Sequence, residues 1–422
     1  MSAKSLGLFL AAFLLWSVLP AWSQGESQPQ LPDGKEKSII QNGCGTCHEM
    51  KVVTSAGHTR EDWVTALRMM VNVGAPVPED QFDATVDYLT KNFPEKPKPP
   101  AVKIPGPVDV TIKEWTVPTP GSRPHDPLVA HDGYIWYTGQ MANVLGRFDP
   151  KTEQFKEFHI PDPISGPHGL TEDKDGNIWY TANFKAYIGR FNPKTGEFTE
   201  YHIPDPKAHD PHTPIFDQKG TLFFTVQTSD YVGRLLPKTG EIKVVPVPTP
   251  KANPYGMVVT SKGIPYFVEW MANKVTSINP DTMELHEYVL PNEGTRPRRV
   301  AITPDDVLYY SDYFRGYLGR FDTKTGATAE WPSPGGPDSR PYAIAFINGV
   351  VWYVESNTKP NEVVRFDPKT EKFQTWPIPS GGGVVRNMMK TPDGNMWLAC
   401  SGVNKIAFVQ VKKNSEMAGM TH

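Results

Sequence analysis

The sequence predicts an all-β ring of seven four-stranded blades, a β-propeller, preceded by a small all-α unit. Three observations predict it: a strand-and-turn pattern recurs every 43 or 44 residues from residue 114 onward, a compact helical stretch covers about 32–93, and a proline-rich join separates the two. Repeats of about 40 to 45 residues, each with four short strands, have the size of one blade in a radial array. Composition agrees. Of 422 residues, 43 are proline and 35 glycine, so turns are dense, while 38% hydrophobic residues and 11 tryptophans leave enough for a core. A helical bundle and a disordered chain are both excluded. The net charge of -3 gives no electrostatic reason to expect nucleic acid.

The elements follow in chain order. Lys4 precedes an apolar run from Leu6 to Leu19, and Ala21 and Ser23 supply the small residues of a cleavage site before Gln24. This is the pattern of a secretory signal peptide over 1–23, which implies a periplasmic or secreted protein. The run is shorter than the roughly 20 residues that span a bilayer, and no comparable run follows. No membrane span is expected once the signal is removed.

Only three cysteines occur, Cys44, Cys47 and Cys400, too few for a disulfide framework. Cys44-Gly45-Thr46-Cys47-His48 has the C-x-x-C-H spacing of c-type haem attachment, with two thioether bonds and His48 as the proximal iron ligand. A thioredoxin-like pair would need a βαβ setting, and a zinc site a second Cys/His pair nearby. Thr59 and Asp62 then open a helix with Trp63, Leu67 and Met70 on one face, and a second helix is expected from Glu79 to about Asn92 with Phe82, Val86 and Leu89 inward. A unit this small needs help to build a core, which a covalent haem supplies. His58 reads as a surface residue, with iron ligation as its alternative. With Met70 ahead of Gly74-Ala75 and with Tyr88, Leu89, Asn92 and Phe93 at its end, the stretch 32–93 resembles a small class I cytochrome c. That resemblance implies Met70 as the distal ligand, with adjacent Met69 as the alternative.

The segment 94–113, with Pro94, Pro97, Pro99, Pro100, Pro105 and Pro107, is expected to be an extended spacer that joins the units without entering a sheet interior. The repeats occupy 114–411. A Gly-Arg-Phe-Asp-Pro-Lys-Thr turn recurs at 146–152, 189–195, 233–239, 276–282, 319–325 and 364–370. Asp opens the turn and proline pre-sets its φ. An aromatic strand position recurs at Trp136, Trp179, Phe223, Tyr266, Tyr309, Trp352 and Trp397. One column anchors each unit: His125, His168, His212, Tyr255, Arg298, Tyr342 and Arg386 lie 43, 44, 43, 43, 44 and 44 residues apart. Seven columns mean seven blades. Because the last unit lacks an outer strand, Glu114 to Val117 is expected to supply it and close the ring.

Pro167-His168-Gly169 with Trp179-Tyr180-Thr181 and Ile188-Gly189-Arg190, and Pro254-Tyr255-Gly256 with Phe267-Val268-Glu269, resemble the streptogramin B lyase (virginiamycin B lyase) type of propeller. The likeness spans about 114–411. It implies a base-assisted elimination that opens a cyclic depsipeptide, using a histidine and a glutamate of the last blades with magnesium. This chain departs there: Arg386 occupies the last-blade histidine column and Ala399-Cys400-Ser401 the acid region, while the preceding blade has Tyr342 and retains Glu355. Arginine stays protonated and is no base at ordinary pH.

The anchoring column should ring the channel mouth, with His125, His168 and His212 on one side and Glu269, Asp312 and Glu355 on the other as the catalytic candidates. Neutral imidazoles suit proton transfer or a divalent metal, and carboxylates suit a cation or the orientation of a base. Arg296, Arg298, Arg299 and Arg386 either attract a carboxylate or phosphate group or pair with those carboxylates. His159 and His202 are expected in solvent, His209 at the rim, and Cys400 in the core. Three functions follow as expectations. In the first, an exported haem electron-transfer protein binds and oxidises a small organic substrate on its propeller and serves a periplasmic redox partner. In the second, the propeller is a carbon–oxygen lyase with an attached haem unit. In the third, it is a non-catalytic module that presents a cytochrome.

Overall fold

A computed structural model describes residues 31–45 and 49–413. The signal segment, Cys47 and His48 lie outside the described residues. Seven four-stranded antiparallel sheets form in sequence order, six of them from consecutive strands. The seventh joins the strand Val108–Thr116 to Lys405–Lys413 over nine antiparallel pairs, among them Glu114 with Ala407 and Trp115 with Ile406. The expected closure is therefore present, although its strand starts at Val108, six residues earlier than the turn pattern suggested. The interval from 94 to the propeller is correspondingly shorter.

Two local devices explain why this sequence makes blades. The first is the glycine that opens each Gly-Arg turn. A Cβ at Gly146, Gly189, Gly233 or Gly319 would stand about 2 Å from the ring of Tyr137, Tyr180, Phe224 or Tyr310 on the neighbouring strand, so the aromatic ring lies flat over bare backbone. In blade 1 the tyrosine hydroxyl meets an outer-strand carboxylate: Tyr137 donates to Glu157 at 2.9 Å, and Thr119 of the preceding connection donates to the same carboxylate at 2.5 Å. Three further outer strands are hooked to the loop that leads into their blade, Glu287 to Thr249, Glu330 to Thr295 and Glu114 to Ser380.

The second device is a bulge in every inner strand. The ladder slips between Pro124 and Pro127, Pro167 and Leu170, Pro211 and Pro214, Pro254 and Met257, Pro297 and Val300, Pro341 and Ile344, and Val385 and Met388. Bulges re-aim side chains out of the pleat. Here the re-aimed residue is the anchoring column. In four blades a second-strand hydroxyl locks it: Thr138 accepts from the Asp126 N–H at 3.3 Å and donates to the His168 carbonyl of the next blade at 2.7 Å. Thr181, Thr225 and Ser311 repeat the link to the carbonyls of His212, Tyr255 and Tyr342.

The helical unit contains α1 (Lys37–Gly43), α2 (Lys51–Thr54), α3 (Arg60–Asn72) and α4 (Phe82–Asn92), with a 3-10 turn at Glu79–Gln81. Thr59 caps α3 through the Asp62 N–H at 3.1 Å, as its sequence predicts. Ile40, Trp63, Leu67, Phe82, Val86 and Leu89 are buried together. This unit is docked as well as tethered. Asn72 donates to the Pro120 carbonyl at 2.9 Å, and a Cβ on Gly121 would lie 2.8 Å from the Met69 nitrogen, so glycine admits the end of α3 to the propeller loop. The spacer is laced along blade 6, where the Val102 N–H reaches Glu362 at 2.7 Å and the Ile104 N–H reaches Thr375 at 2.8 Å.

Gly189→Ala is expected to destabilise the protein by about 2 kcal/mol or more through overpacking, whereas the same change in a Tyr180→Ala background should cost little further. Urea unfolding of the three variants checks this. A neutral Gly189→Ala would show that the ring does not depend on bare backbone.

Candidate axial site

The bulges bring the anchoring column together on the propeller axis. His125 and His168 stack with centroids 3.6 Å apart, His168 and His212 at 3.9 Å, and His212 meets Tyr255 at 4.0 Å. The Tyr255 and Tyr342 hydroxyls hydrogen-bond each other across the ring. Arg298 fills the remaining sector inside an aromatic box, its guanidinium carbon 4.0 Å from the Tyr342 ring, 4.3 Å from Tyr313 and 4.4 Å from Trp270.

Asp126 is the one acidic side chain hydrogen-bonded to this ring. It accepts from Arg299 at 3.0 Å and lies 2.9 Å from His125 Nδ1, so it holds the imidazole by that nitrogen and leaves Nε2 outside the pair. Sequence reasoning missed Asp126, although its place directly after an anchoring histidine is the signal that marks it. Burial, then the field of Arg386, Arg299 and Arg123, pushes His125 well below the usual imidazole range; His168 and His212 are lowered by burial and by neighbouring charges too. All three are neutral near pH 7. Burial raises the Tyr342 phenol, but Arg298, Arg386 and Arg299 outweigh it and hold the group at about 8.

The three expected carboxylates do not join the ring. Glu269 turns to Thr276 on its own blade at 2.6 Å, and Asp312 to Arg315 at 3.0 Å. Glu355 bonds the Ser333 hydroxyl and accepts from the Gly335 N–H at 2.8 Å. Each holds its own blade, since the hydroxyl and guanidinium partners on adjacent strands and loops are nearer than the axis. The expected pairing of the axial arginines with them is replaced: Asp312 takes Arg315, and Arg299 takes Asp126. Arg296 reaches Asp312 only through its backbone N–H. His159, His202 and His209 are exposed, and Cys400 is buried with its thiol pushed up by burial. A divalent cation does not fit this axis. The imidazoles pack ring against ring in tilted pairs, four guanidinia surround them, and no metal-ligating cluster of three His, Cys, Asp or Glu occurs among the described residues.

A cavity lies in the helical unit, lined among others by Cys44, His58, Trp63, Met69, Met70 and Leu89. His58 is a half-buried part of this wall, edge-on to Trp63 at 4.7 Å, and differs in that from the expected surface residue. Burial lowers its pKa. Both methionines reach the cavity from the end of α3.

The architecture and the axial ring define a seven-bladed propeller with a closed polar centre. The chain belongs to the virginiamycin B lyase family, whose model matches residues 106–346. A solved streptogramin B lyase is 26% identical and superposes with a TM-score of 0.65, covering 72% of this chain and 98% of that one. Virginiamycin B lyase from Staphylococcus aureus is 23% identical with a TM-score of 0.65, over 72% of this chain and 99% of that one. A catalytically inactive histidine-to-alanine form of the Staphylococcus aureus enzyme with quinupristin gives 23% and 0.64, again over 72% and 99%. No curated protein sequence matches the chain. Among the described residues no helix is long and apolar enough to cross a membrane.

Burial, with Glu287 adding to it, raises Glu269 from 4.5 to about 7 against the pull of Thr276 and Lys274. The folded state therefore holds a proton that the unfolded chain releases above its ordinary pKa, and stability falls as pH rises through this window. Glu269→Gln is expected to leave stability nearly unchanged at about pH 4.5 and to raise it by on the order of 2 kcal/mol at about pH 8. Chemical denaturation at both pH values measures this, and an equal effect at the two would exclude Glu269 as the titrating group.

Proposed function

We propose that the protein is an exported carbon–oxygen lyase acting at its propeller axis, with a c-type haem in the helical unit docked beside the mouth. The observation that carries the lyase reading is the Asp126–His125 pair in a chain of this family: a neutral, oriented imidazole facing a cationic axis. His125 Nε2 takes the proton from a carbon beside a carbonyl. The C–H electron pair becomes the new C=C bond, the C–O pair leaves with the oxygen, and the proton returns from His125 to the departing oxygen. Guanidinia at the axis stabilise the oxyanion that develops on the carbonyl. Neither water nor electrons are consumed. The base stands on the first blades because the last-blade column is Arg386, which cannot serve. Family membership favours this elimination over oxidation of a substrate at the axis, and over a purely non-catalytic module.

The haem reading rests on the C-x-x-C-H run and on the cavity beside it. An apolar wall with Cys44 on one side and two thioethers on the other suits a covalent porphyrin. Cys44 and Cys47 would hold its vinyl carbons, His48 and Met70 its iron, with Met69 the alternative. The group supplies one-electron transfer when bound, which implies a periplasmic partner for this unit. Trp63 donates to the Phe93 carbonyl at 2.9 Å and Thr59 caps α3, so this chain holds the methionine-bearing helix rigid beside the cavity.

With a streptogramin B depsipeptide and simple β-acyloxy carbonyl compounds as probes, His125→Ala is expected to lower formation of the unsaturated product at least about 100-fold. Absorbance of the new double bond follows it. Wild-type protein that makes no such product, or a fully active variant, would overturn the lyase reading. Expressed with haem maturation, the protein should show a pyridine-haemochrome spectrum of a c-type haem. Met70→Ala should then abolish the sulfur-to-iron charge-transfer band of the oxidised form and lower the potential, while Met69→Ala leaves both unchanged. A thioether-linked porphyrin missing from the mature protein would sink this part alone.

A further inference from the structure

Four guanidinia gather around the axis, Arg299 buried and Arg123, Arg298 and Arg386 half-buried, and one carboxylate, Asp126, is hydrogen-bonded to Arg299. We propose that Arg123, Arg298 and Arg386 form an anion-binding site on the propeller axis that takes the carboxylate or phosphate group of a small organic ligand. This deepens the elimination reading by naming the charge class of its substrate, and rests on it only in placing that ligand at the same axis.

Buried cations left without counter-charge cost several kcal/mol, so a fold that gathers them has a compensating partner. Internal compensation is incomplete. Glu269, Asp312 and Glu355 are taken by other groups, as described above. The Nε atoms of Arg298, Arg299 and Arg386 are buried without a hydrogen-bond acceptor, and so is His168 Nδ1. The aromatic box offsets part of the charge of Arg298 through its ring faces, and leaves its Nε–H without an acceptor. The neighbouring groups register the same field: burial and then the charge of Arg386 lower Arg123 to about 9, and the arginines lower Tyr342. Guanidinium forks match planar carboxylates and phosphates with paired N–H donors, which a hydrated lysine would not do as well.

The same loops carry the helical unit. Arg123 lies two residues after Gly121, where the end of α3 docks, and Ser401, in the turn that α3 also touches, donates its N–H to the Val384 carbonyl two residues before Arg386. A ligand held by these arginines therefore lies at the side of the mouth covered by the helical unit.

The test is isothermal titration calorimetry of the full chain with inorganic phosphate, methylphosphonate, acetate and succinate, with sodium chloride at matched ionic strength as reference. One saturable site is expected for at least one oxyanion, with at least a tenfold loss of affinity in Arg386→Gln and in Arg298→Gln. The carboxylate and phosphate arms identify the group preferred. Circular dichroism and Asp126→Asn accompany these variants; removing the one counter-charge should tighten oxyanion binding in a folded protein. No saturable binding of any oxyanion above the chloride reference, or unchanged affinity in both folded arginine variants, would overturn the proposal. Because these probes do not react, binding without turnover would uphold the anion site while the lyase reading fails.

Discussion

The seven bulges at the inner-strand starts are the constraint on which the rest depends. A regular strand would alternate its side chains between the two faces that neighbouring blades cover, and no polar residue would reach the axis. Slipping the ladder directly after Pro124 and its counterparts frees the anchoring residue to point inward, and the second-strand hydroxyl both satisfies the released N–H and ties the carbonyl of the next blade. Blade register, ring closure and the position of every axial side chain are thus set by the same few hydrogen bonds. Where the hydroxyl is replaced, as at Val268, Val354 and Ala399, other groups restore part of the linkage, with Ser356 donating to the Val385 carbonyl and Ser401 to that of Pro124.

Much of the architecture was legible because it repeats. A period of 43 or 44 residues, a column of strand-start residues and a missing seventh outer strand are enough to infer seven blades and the strand that closes them. Thr59 and Asp62 marked the start of α3 for an equally local reason, since a cap is a bond between neighbours in sequence. The site was legible only in part. His125, His168 and His212 were found because the repeat aligned them. Glu269, Asp312 and Glu355 were grouped with them because strand ends were expected to share one mouth, but which way a strand-end carboxylate turns depends on partners far along the chain, such as Ser333 for Glu355. Asp126 escaped notice because it is not a repeat residue; Gly169, Thr213, Gly256, Arg299, Ala343 and Asn387 stand at its place in the other blades.

The join between the units shows the same limit. Proline content identified an extended spacer, yet its course along blade 6 is set by Glu362 and Thr375, more than 250 positions away, which accept its N–H groups. Burial raises Glu362 to about 7 against the pull of the Val102 N–H, so the seam between spacer and blade contains a carboxyl that titrates near neutrality. Gly121 completes the docking from the propeller side, with φ at +66° and space only for hydrogen next to the α3 backbone.

The balance of charge at the axis explains why the propeller centre differs from an ordinary packed core. Closely packed imidazoles, a tyrosine pair and aromatic walls fill the volume as apolar side chains would, but their polar edges and the guanidinia among them keep the region costly to bury. Neutral histidines follow from that field, since each added positive charge makes imidazolium less favourable. The arginines therefore act twice: they keep the axial imidazoles unprotonated at physiological pH, and they give the axis a positive potential. A lysine set would do the second less well, because burial discharges an ammonium far more readily than a guanidinium. In the elimination proposed above, Arg386 in the last-blade column is the counterpart of a base on blade 1: the charge that disqualifies it from proton transfer helps to keep His125 neutral.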